Sequence, residues 1–311
     1  MLIGKIKYER YIISWLNDKK LYVKESTYAN YSFIVYNYII PEIGYYNLKQ
    51  LNNSLLQQLV IKLYEKKLSI KTIKDIIMVI KSSLIKAFDD NKVKRFSLKL
   101  NYPKEKNIKK VNVLSRIEQH ILMEYVLNNN NDKNLGILIT MYCGLRIGEI
   151  CALKWKDIDT DNKIIHVNKT LQRIFLKNEK RSESKVIITT PKSKKSCRDI
   201  PINDALYKTL IKNKKKDDYF VLSGNLRYIE PRVYRIYFSN LLKKLKLKHF
   251  NYHSLRHTFA STCISLGIDY KTVSELLGHS TIALTLNLYV HPSLQDKIKC
   301  TDAIAKNLMY K

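Results

Sequence analysis

The chain has 311 residues and carries 56 Lys plus Arg against 27 Asp plus Glu, a formal net charge of +29. An excess of this size goes beyond what solubility needs and points to a polyanionic partner; no amphipathic segment gathers its Lys and Arg against a clean apolar face, which argues against a membrane-surface binder. An apolar content of 45% argues against a disordered chain, and neither the charge-dotted start MLIGKIKYERYIISWL nor any later stretch reads as a signal peptide or a membrane span, so a cytoplasmic protein is expected.

The length suggests two domains. Up to Leu100 there are 18 basic and 8 acidic side chains, and beyond it 38 and 19, so both parts are basic and both are expected to touch nucleic acid. Five cysteines, Cys143, Cys151, Cys197, Cys263 and Cys300, are odd in number and show no C-x-x-C spacing, which reads as reduced core thiols rather than bridges or zinc ligands.

In chain order, apolar residues at helical spacing predict helices over residues 5–17, 26–40, 54–66 and 69–89, the second ended by Pro41 and Gly44. The last is the clearest, with Ile70, Ile73, Ile77, Ile80, Leu84 and Ala87 on one face. A small basic helical bundle follows over residues 1–98. The stretch SLKLNYPKEKNIKKVN then has no sustained periodicity, and a basic linker is placed at 99–112, where a flexible tether would let two basic domains close around a duplex as a clamp. In the second domain, 113–311, Ser115 caps a helix through Leu127, another runs from Leu135 and stops at Gly144, and a third begins near Arg146. Short β-rich runs at 164–167, 186–190 and 198–202 predict a small antiparallel sheet. Helices return at Asn203, over 231–246, and as three short ones from Ser254, punctuated by Gly267 and Gly278. The fold class is mainly α with one small antiparallel sheet.

Four segments carry chemistry. In GLRIGEICALKW, residues 144–155, Gly144 relaxes the backbone so that Arg146 projects from a helix start, where the dipole also favours a phosphate, and Glu149 one turn on can hold the guanidinium or a nearby imidazole. An ordinary surface ion pair reads equally well from this segment alone. TTPKSKKSCRDIPI, residues 189–202, looks like a β-hairpin with Lys192, Lys194 and Lys195 at its tip, although a lysine run on a turn is commonly just solvated. In HSLRHTFAS, His253 and Arg256 stand three apart, sharing a helical face that could grip one phosphate; a core histidine beside an exposed arginine is the plainer alternative, and the H-E-x-x-H pattern of a metal site is missing. In LLGHSTIALTLNLYVHP, residues 276–292, His279 occupies a turn, Ser280 or Thr281 caps the next helix, and Tyr289 falls near its end. One tyrosine among 22 is more often packing than reacting. Together, though, Arg146, Lys192, His253, Arg256, His279 and Tyr289 supply cations for a phosphate, imidazoles for proton transfer and a phenol as nucleophile, the groups that attack on a DNA phosphodiester needs.

These ordered segments resemble the tyrosine recombinases, or phage integrases. GLRIGE is similar to that family's first arginine segment, PKSKKSCRDIPI to its lysine hairpin, HSLRHTFAS to its His-x-x-Arg segment, and LGHSTIALTLNLYVHP to its closing histidine and tyrosine. Residues 11–93, notably KESTYANY, are similar to its helical core-binding domain. The resemblance implies a SAM-like core-binding bundle followed by an α+β catalytic domain, forming a C-shaped clamp on DNA. It implies that Tyr289 attacks the scissile phosphate to give a 3′-phosphotyrosyl link and a free 5′-hydroxyl. His253 would accept the phenol proton, Arg146, Arg256 and His279 would serve the non-bridging oxygens, Lys192 would protonate the leaving oxygen, and Glu149 would orient these groups. No metal or nucleotide is implied. The implied partners are double-stranded DNA with paired inverted half-sites, three further copies of the chain in a tetramer on DNA, and an accessory directionality factor in some reactions, with no membrane. The tail after His291 is expected to dock on a neighbouring subunit or to pack on its own domain. Integrases of the conjugative-transposon and lambda type carry an arm-binding domain ahead of the core-binding one; with no room for it here, a Xer-like two-domain architecture is expected. A relaxing topoisomerase with the same nucleophile, a catalytically silent DNA-binding regulator and an RNA-binding protein are the competing readings, the last lacking an aromatic RNP-type strand motif.

Overall fold

A computed structural model of the chain describes residues 6–94, 97–104, 112–178, 181–191, 194–289 and 294–309. The chain divides into two units, Met1–Lys109 with Arg173–Val186, and Lys110–Gln172 with Ile187–Lys311.

In the first unit, α1 (Tyr8–Lys19), α2 (Glu25–Ile34), α3 (Ile40–Ile43), α4 (Asn53–Glu65) and α5 (Ile70–Asp89) form the helical bundle that the periodicity predicts. Helices α4 and α5 start where side chains satisfy free amides: Asn52 accepts from the Leu55 N–H at 3.0 Å and Ser69 from Thr72 at 3.1 Å. The stripe from Ile70 to Ala87 on α5 faces Tyr8, Ile12, Trp15 and Leu16 of α1 in one buried core, and the Tyr8 hydroxyl, pushed above the ordinary tyrosine range by burial, is satisfied by Ser83 Oγ at 2.8 Å. One expectation changes. Pro41 does not end the second helix; the chain runs from α2 through a π-helical turn, Val35–Ile39, into α3, with Pro41 in the first turn of α3 and Gly44 at its end.

The first unit also includes the outer part of a two-stranded hairpin, β3 (Thr170–Lys177) with β4 (Ser182–Thr189). There the Lys177 amide donates to Ser32 Oγ at 3.0 Å while that hydroxyl donates to the Lys177 carbonyl at 2.9 Å, and Lys185 pairs with Glu25. The run at 186–190 therefore pairs with β3, a strand that the periodicity did not predict, and not with the sheet expected for it.

In the second unit, α6 (Arg116–Asn128) begins at Ser115, whose hydroxyl accepts from the Glu118 amide while the Glu118 carboxylate accepts from the Ser115 amide, a reciprocal cap. Helix α7 (Asp132–Cys143) is almost wholly buried and packs on α6 and on α11 (His253–Ser265). Gly144 ends it at φ +64°, and a Cβ there would lie 2.6 Å from Phe259 Cδ1, so both backbone and space demand glycine. Gly144→Ala is expected to cost about 3 kcal/mol in urea unfolding. Next come α8 (Ile147–Ala152) and an antiparallel sheet in the order β1 (Ile158–Asp159), β2 (Ile164–Val167), β5 (Arg198–Pro201), with Ile165 opposite Ile200 and Val167 opposite Arg198. Helices α9 (Asp204–Asn213), α10 (Pro231–Lys244), α12 (Tyr270–Leu277), α13 (Ile282–Tyr289) and α14 (Leu294–Met309) complete the unit, so the protein is mainly helical, as expected, with two small sheets among the described residues where one was expected. Cys143 and Cys151 are core residues, but Cys197 is exposed, contrary to the expectation, because it sits just ahead of β5 outside the packed layers. Among the described residues no helix is long and apolar enough to cross a membrane.

Candidate active site

The left-handed turn at Gly144 reverses the chain out of α7 and places Arg146 at the N-cap of α8. Glu149, in the first turn of that helix, accepts from the Arg146 amide through Oε2 at 2.9 Å and from Arg146 Nη1 through Oε1 at 2.7 Å. The carboxylate is 3% exposed. Burial alone would raise its pKa, but Arg198 and Arg146 outweigh that and hold it below the ordinary carboxylate range.

The cations gather at the C-terminus of α12. Its last carbonyls have no partner within the helix and sit at the negative end of the helix dipole. Arg198 Nε donates to the Leu276 carbonyl at 2.5 Å, Arg256 Nη2 to Leu277 at 2.5 Å, and Arg146 Nη2 to Gly278 at 3.0 Å. Arg256, 1% exposed, also donates through Nη1 to the Gly144 carbonyl at 2.8 Å, tying the end of α7 to the end of α12. Three consecutive carbonyls thus hold three guanidinium groups.

His279 follows at once in the turn after Gly278. Its Nδ1 lies 2.8 Å from Oγ1 of Thr285, a fully buried hydroxyl on α13. With that hydroxyl donating, the ring carries its proton on Nε2, the tautomer that can donate to a phosphate oxygen. His253 opens α11 and keeps a solvent-exposed edge, its ring 4.5 Å from that of His257 at 85°. Burial, then His257, Arg256 and Arg146, push the His253 pKa down to about 4; burial, then Arg256, Arg146 and Arg198, push His279 to about 4 as well. Both rings are therefore neutral at pH 7, the form a proton acceptor needs. Since the folded-state values lie below the ordinary 6.5, the unfolded chain takes up protons first, and stability is lost as pH falls from about 6.5 toward 4. Unfolding midpoints across that range should fall for the wild type and fall less for a His253→Gln/His279→Gln double variant.

Of the residues singled out in the sequence, Arg146, Glu149, Arg256 and His279 are brought together at the end of α12, with His253 within electrostatic reach of both arginines. Tyr289 is the last residue of α13, the helix that also carries Thr285. Lys192 lies outside the described residues. Of the other lysines in that segment, Lys195 reaches the Ser280 carbonyl through Nζ at 3.3 Å. Arg198 and Thr285 were not anticipated. The only sequence signal for either is that Arg198 opens the last β-rich run and Thr285 stands four residues before Tyr289.

Residues 112–296 match the phage integrase family, and residues 7–64 match the phage integrase N-terminal SAM-like domain. The tyrosine recombinase XerC-like protein of Caldanaerobacter subterraneus subsp. tengcongensis is 28% identical over 90% of this chain and 78% of that protein. The transposase from transposon Tn916 of Enterococcus faecalis is 26% identical over 88% of this chain and 72% of that one. In fold, residues 82–397 of the Tn1549 transposon integrase, in complex with a circular intermediate DNA, superpose with a TM-score of 0.76 at 22% identity, covering 96% of this chain and 99% of that solved chain. The chain belongs to the phage integrase family and is, as an enzyme, a site-specific tyrosine recombinase.

Proposed function

We propose that the chain cleaves and rejoins double-stranded DNA through Tyr289, at sites built from paired inverted half-sites. The phenol oxygen attacks the scissile phosphorus, the bond from phosphorus to the 5′-oxygen breaks, and a 3′-phosphotyrosyl link remains. His253 takes the phenol proton and Lys192 gives one to the leaving 5′-oxygen. Arg146, Arg256 and His279 donate to the non-bridging oxygens as their charge grows, each donor contributing roughly 2–4 kcal/mol to the lowering of the barrier. A 5′-hydroxyl from a second duplex reverses the step, so strand exchange needs no nucleotide. Four strands must be cut and joined, which calls for four copies of the chain on two duplexes. Residues 1–98 serve as the core-binding domain, joined by the 99–112 linker to the catalytic domain, 113–311. An accessory directionality factor acts only where integration and excision must be distinguished.

The observation that carries this reading is the meeting of Arg146 and Arg256 with His279 at the C-terminal carbonyls of α12, a concentration of donors around the buried carboxylate of Glu149. The test is covalent trapping. The protein is incubated with nicked suicide duplexes drawn from DNA flanking its gene, with label on one side of the nick or the other. A denaturation-resistant adduct on the 3′-phosphate side supports the reading. Tight binding across a broad genomic library with no adduct would favour a silent regulator, and relaxation of supercoils by a monomer without strand exchange would favour a topoisomerase.

A further inference from the structure

Arg198 has no part in the chemistry just proposed, yet it makes four hydrogen bonds within the cluster. Its side chain is 6% exposed. Nη2 and Nη1 reach the two oxygens of Glu149 at 3.0 and 3.2 Å, Nε reaches the Leu276 carbonyl at 2.5 Å, and Nη1 also reaches the Ser196 carbonyl at 3.2 Å. These contacts engage all three guanidinium nitrogens of Arg198 with protein groups, so the role argued below for it is that of a positioning residue.

Two consequences follow from that geometry. Glu149 is shared between Arg146 and Arg198. A carboxylate held by Arg146 alone would swing into a paired, two-oxygen contact with it and neutralise the cation meant for phosphate. With Arg198 occupying one side of the carboxylate, Arg146 keeps a single Oε1 contact from its side chain and stays available. Arg198 also fastens the start of β5 to the last turn of α12, where Gly278 packs so closely that a Cβ would lie 3.1 Å from Ser196 Cα and 3.2 Å from Arg198 Cδ. Its place along the chain therefore joins the lysine segment to the His279 turn.

We propose that Arg198 is a positioning residue for DNA cleavage: by holding Glu149 and the end of α12, it keeps Arg146 free for the phosphate and fixes Lys195 and Ser196 against the His279 turn. The inference rests on the role given above to Arg146. In single-turnover cleavage of a suicide duplex at saturating DNA, Arg198→Ala should lower the rate about 100-fold, the scale expected when a phosphate-binding group is displaced by an ångström. The dissociation constant for DNA should change by less than about threefold, because the lost interaction acts on the reacting phosphate rather than on the duplex. Guanidinium ion, compared with sodium at equal ionic strength, should restore at least about tenfold of the Arg198→Ala rate by refilling the vacated site. Arg198→Lys keeps the charge but cannot bridge both oxygens and the carbonyl, and should recover only part. Adding Glu149→Gln to Arg198→Ala should not multiply the loss, since an amide cannot trap Arg146 as a carboxylate does. Cleavage by Arg198→Ala within about twofold of wild type would overturn the inference. So would a rate loss that guanidinium leaves untouched while the unfolding midpoint drops to the assay temperature, which marks a purely structural strut. Arg146→Ala, run alongside, separates the two ideas. If it cleaves like wild type, the reading of Arg146 is wrong and this inference goes with it; if it is slow and Arg198→Ala is not, only the role of Arg198 is lost.

Discussion

Tyr289→Phe should abolish the covalent adduct, a loss of more than roughly 10⁴-fold, while DNA affinity stays within about twofold. The size follows from the chemistry. Removing a donor from around the phosphate weakens the transition state, but removing the phenol oxygen removes the atom that forms the new bond, and water in its place gives hydrolysis with no protein attached. Affinity should persist because one hydroxyl contributes little beside the many phosphate contacts available to a chain of +29. The measurement is a denaturing gel of suicide-substrate reactions, with DNA binding measured in parallel at a fixed salt concentration. An adduct that survives in the Phe variant would assign the nucleophile to another of the 22 tyrosines and remove the central element of the proposed mechanism.

The second large effect is expected at Arg256. Its guanidinium is buried and bridges the carbonyls of Gly144 and Leu277, so Arg256→Ala removes the donor proposed for the phosphate and also leaves two buried acceptors unsatisfied. Cleavage should fall by about 10³-fold, at the upper end for a single oxyanion donor, because position and charge are lost together. Stability should fall too, by about 1–3 kcal/mol for each carbonyl that water cannot reach. Arg256→Lys separates the contributions. Lysine keeps the positive charge but cannot span two carbonyls and a phosphate, so the cleavage defect should remain at about 10²-fold or more while part of the stability returns. Single-turnover cleavage and urea unfolding of both variants measure the two quantities. Cleavage at the wild-type rate in either variant would make Arg256 a strut between α7 and α12 and nothing more.

Much of the fold was legible because local rules and tertiary packing agree over most of the chain. The caps at Ser69, Ser115 and Asn203 and the left-handed glycines at 144 and 278 are signals that a few residues carry by themselves, and the helices begin and end there. Strand β3 was missed for an equally local reason. Its fully enclosed side chains, Leu171 and Ile174, stand three apart, a helical interval, with Gln172 and Arg173 between them. The twofold alternation that would mark a strand is absent because the strand is divided between the two units, Leu171 belonging to the second and Ile174 to the first. Pro41 misled in the opposite direction, since a proline at the entrance of a helical segment looks the same in sequence as one that stops it.

Arg146, Glu149, Arg256 and His279, singled out in separate segments that each also admit a plainer reading, are brought together in the structure at the end of α12. Arg198 and Thr285 were not singled out. An arginine at the start of a strand and a threonine within a helix are unremarkable along the chain, and each gains its meaning from a partner far off or across a turn, Glu149 at 49 positions and His279 at 6.

The gathering of three arginines at the end of α12 has a consequence for how this enzyme tolerates variation. The acceptors are main-chain oxygens of residues 276, 277 and 278, which every amino acid supplies. An alanine scan can change the side chain of Leu276 and leave its oxygen in place, so a mutational map reads that side chain and not the carbonyl that Arg198 uses. The outward face of α12 is thus free to drift over generations as long as the helix keeps its length, since one residue more or fewer would turn all three oxygens away from their arginines at once.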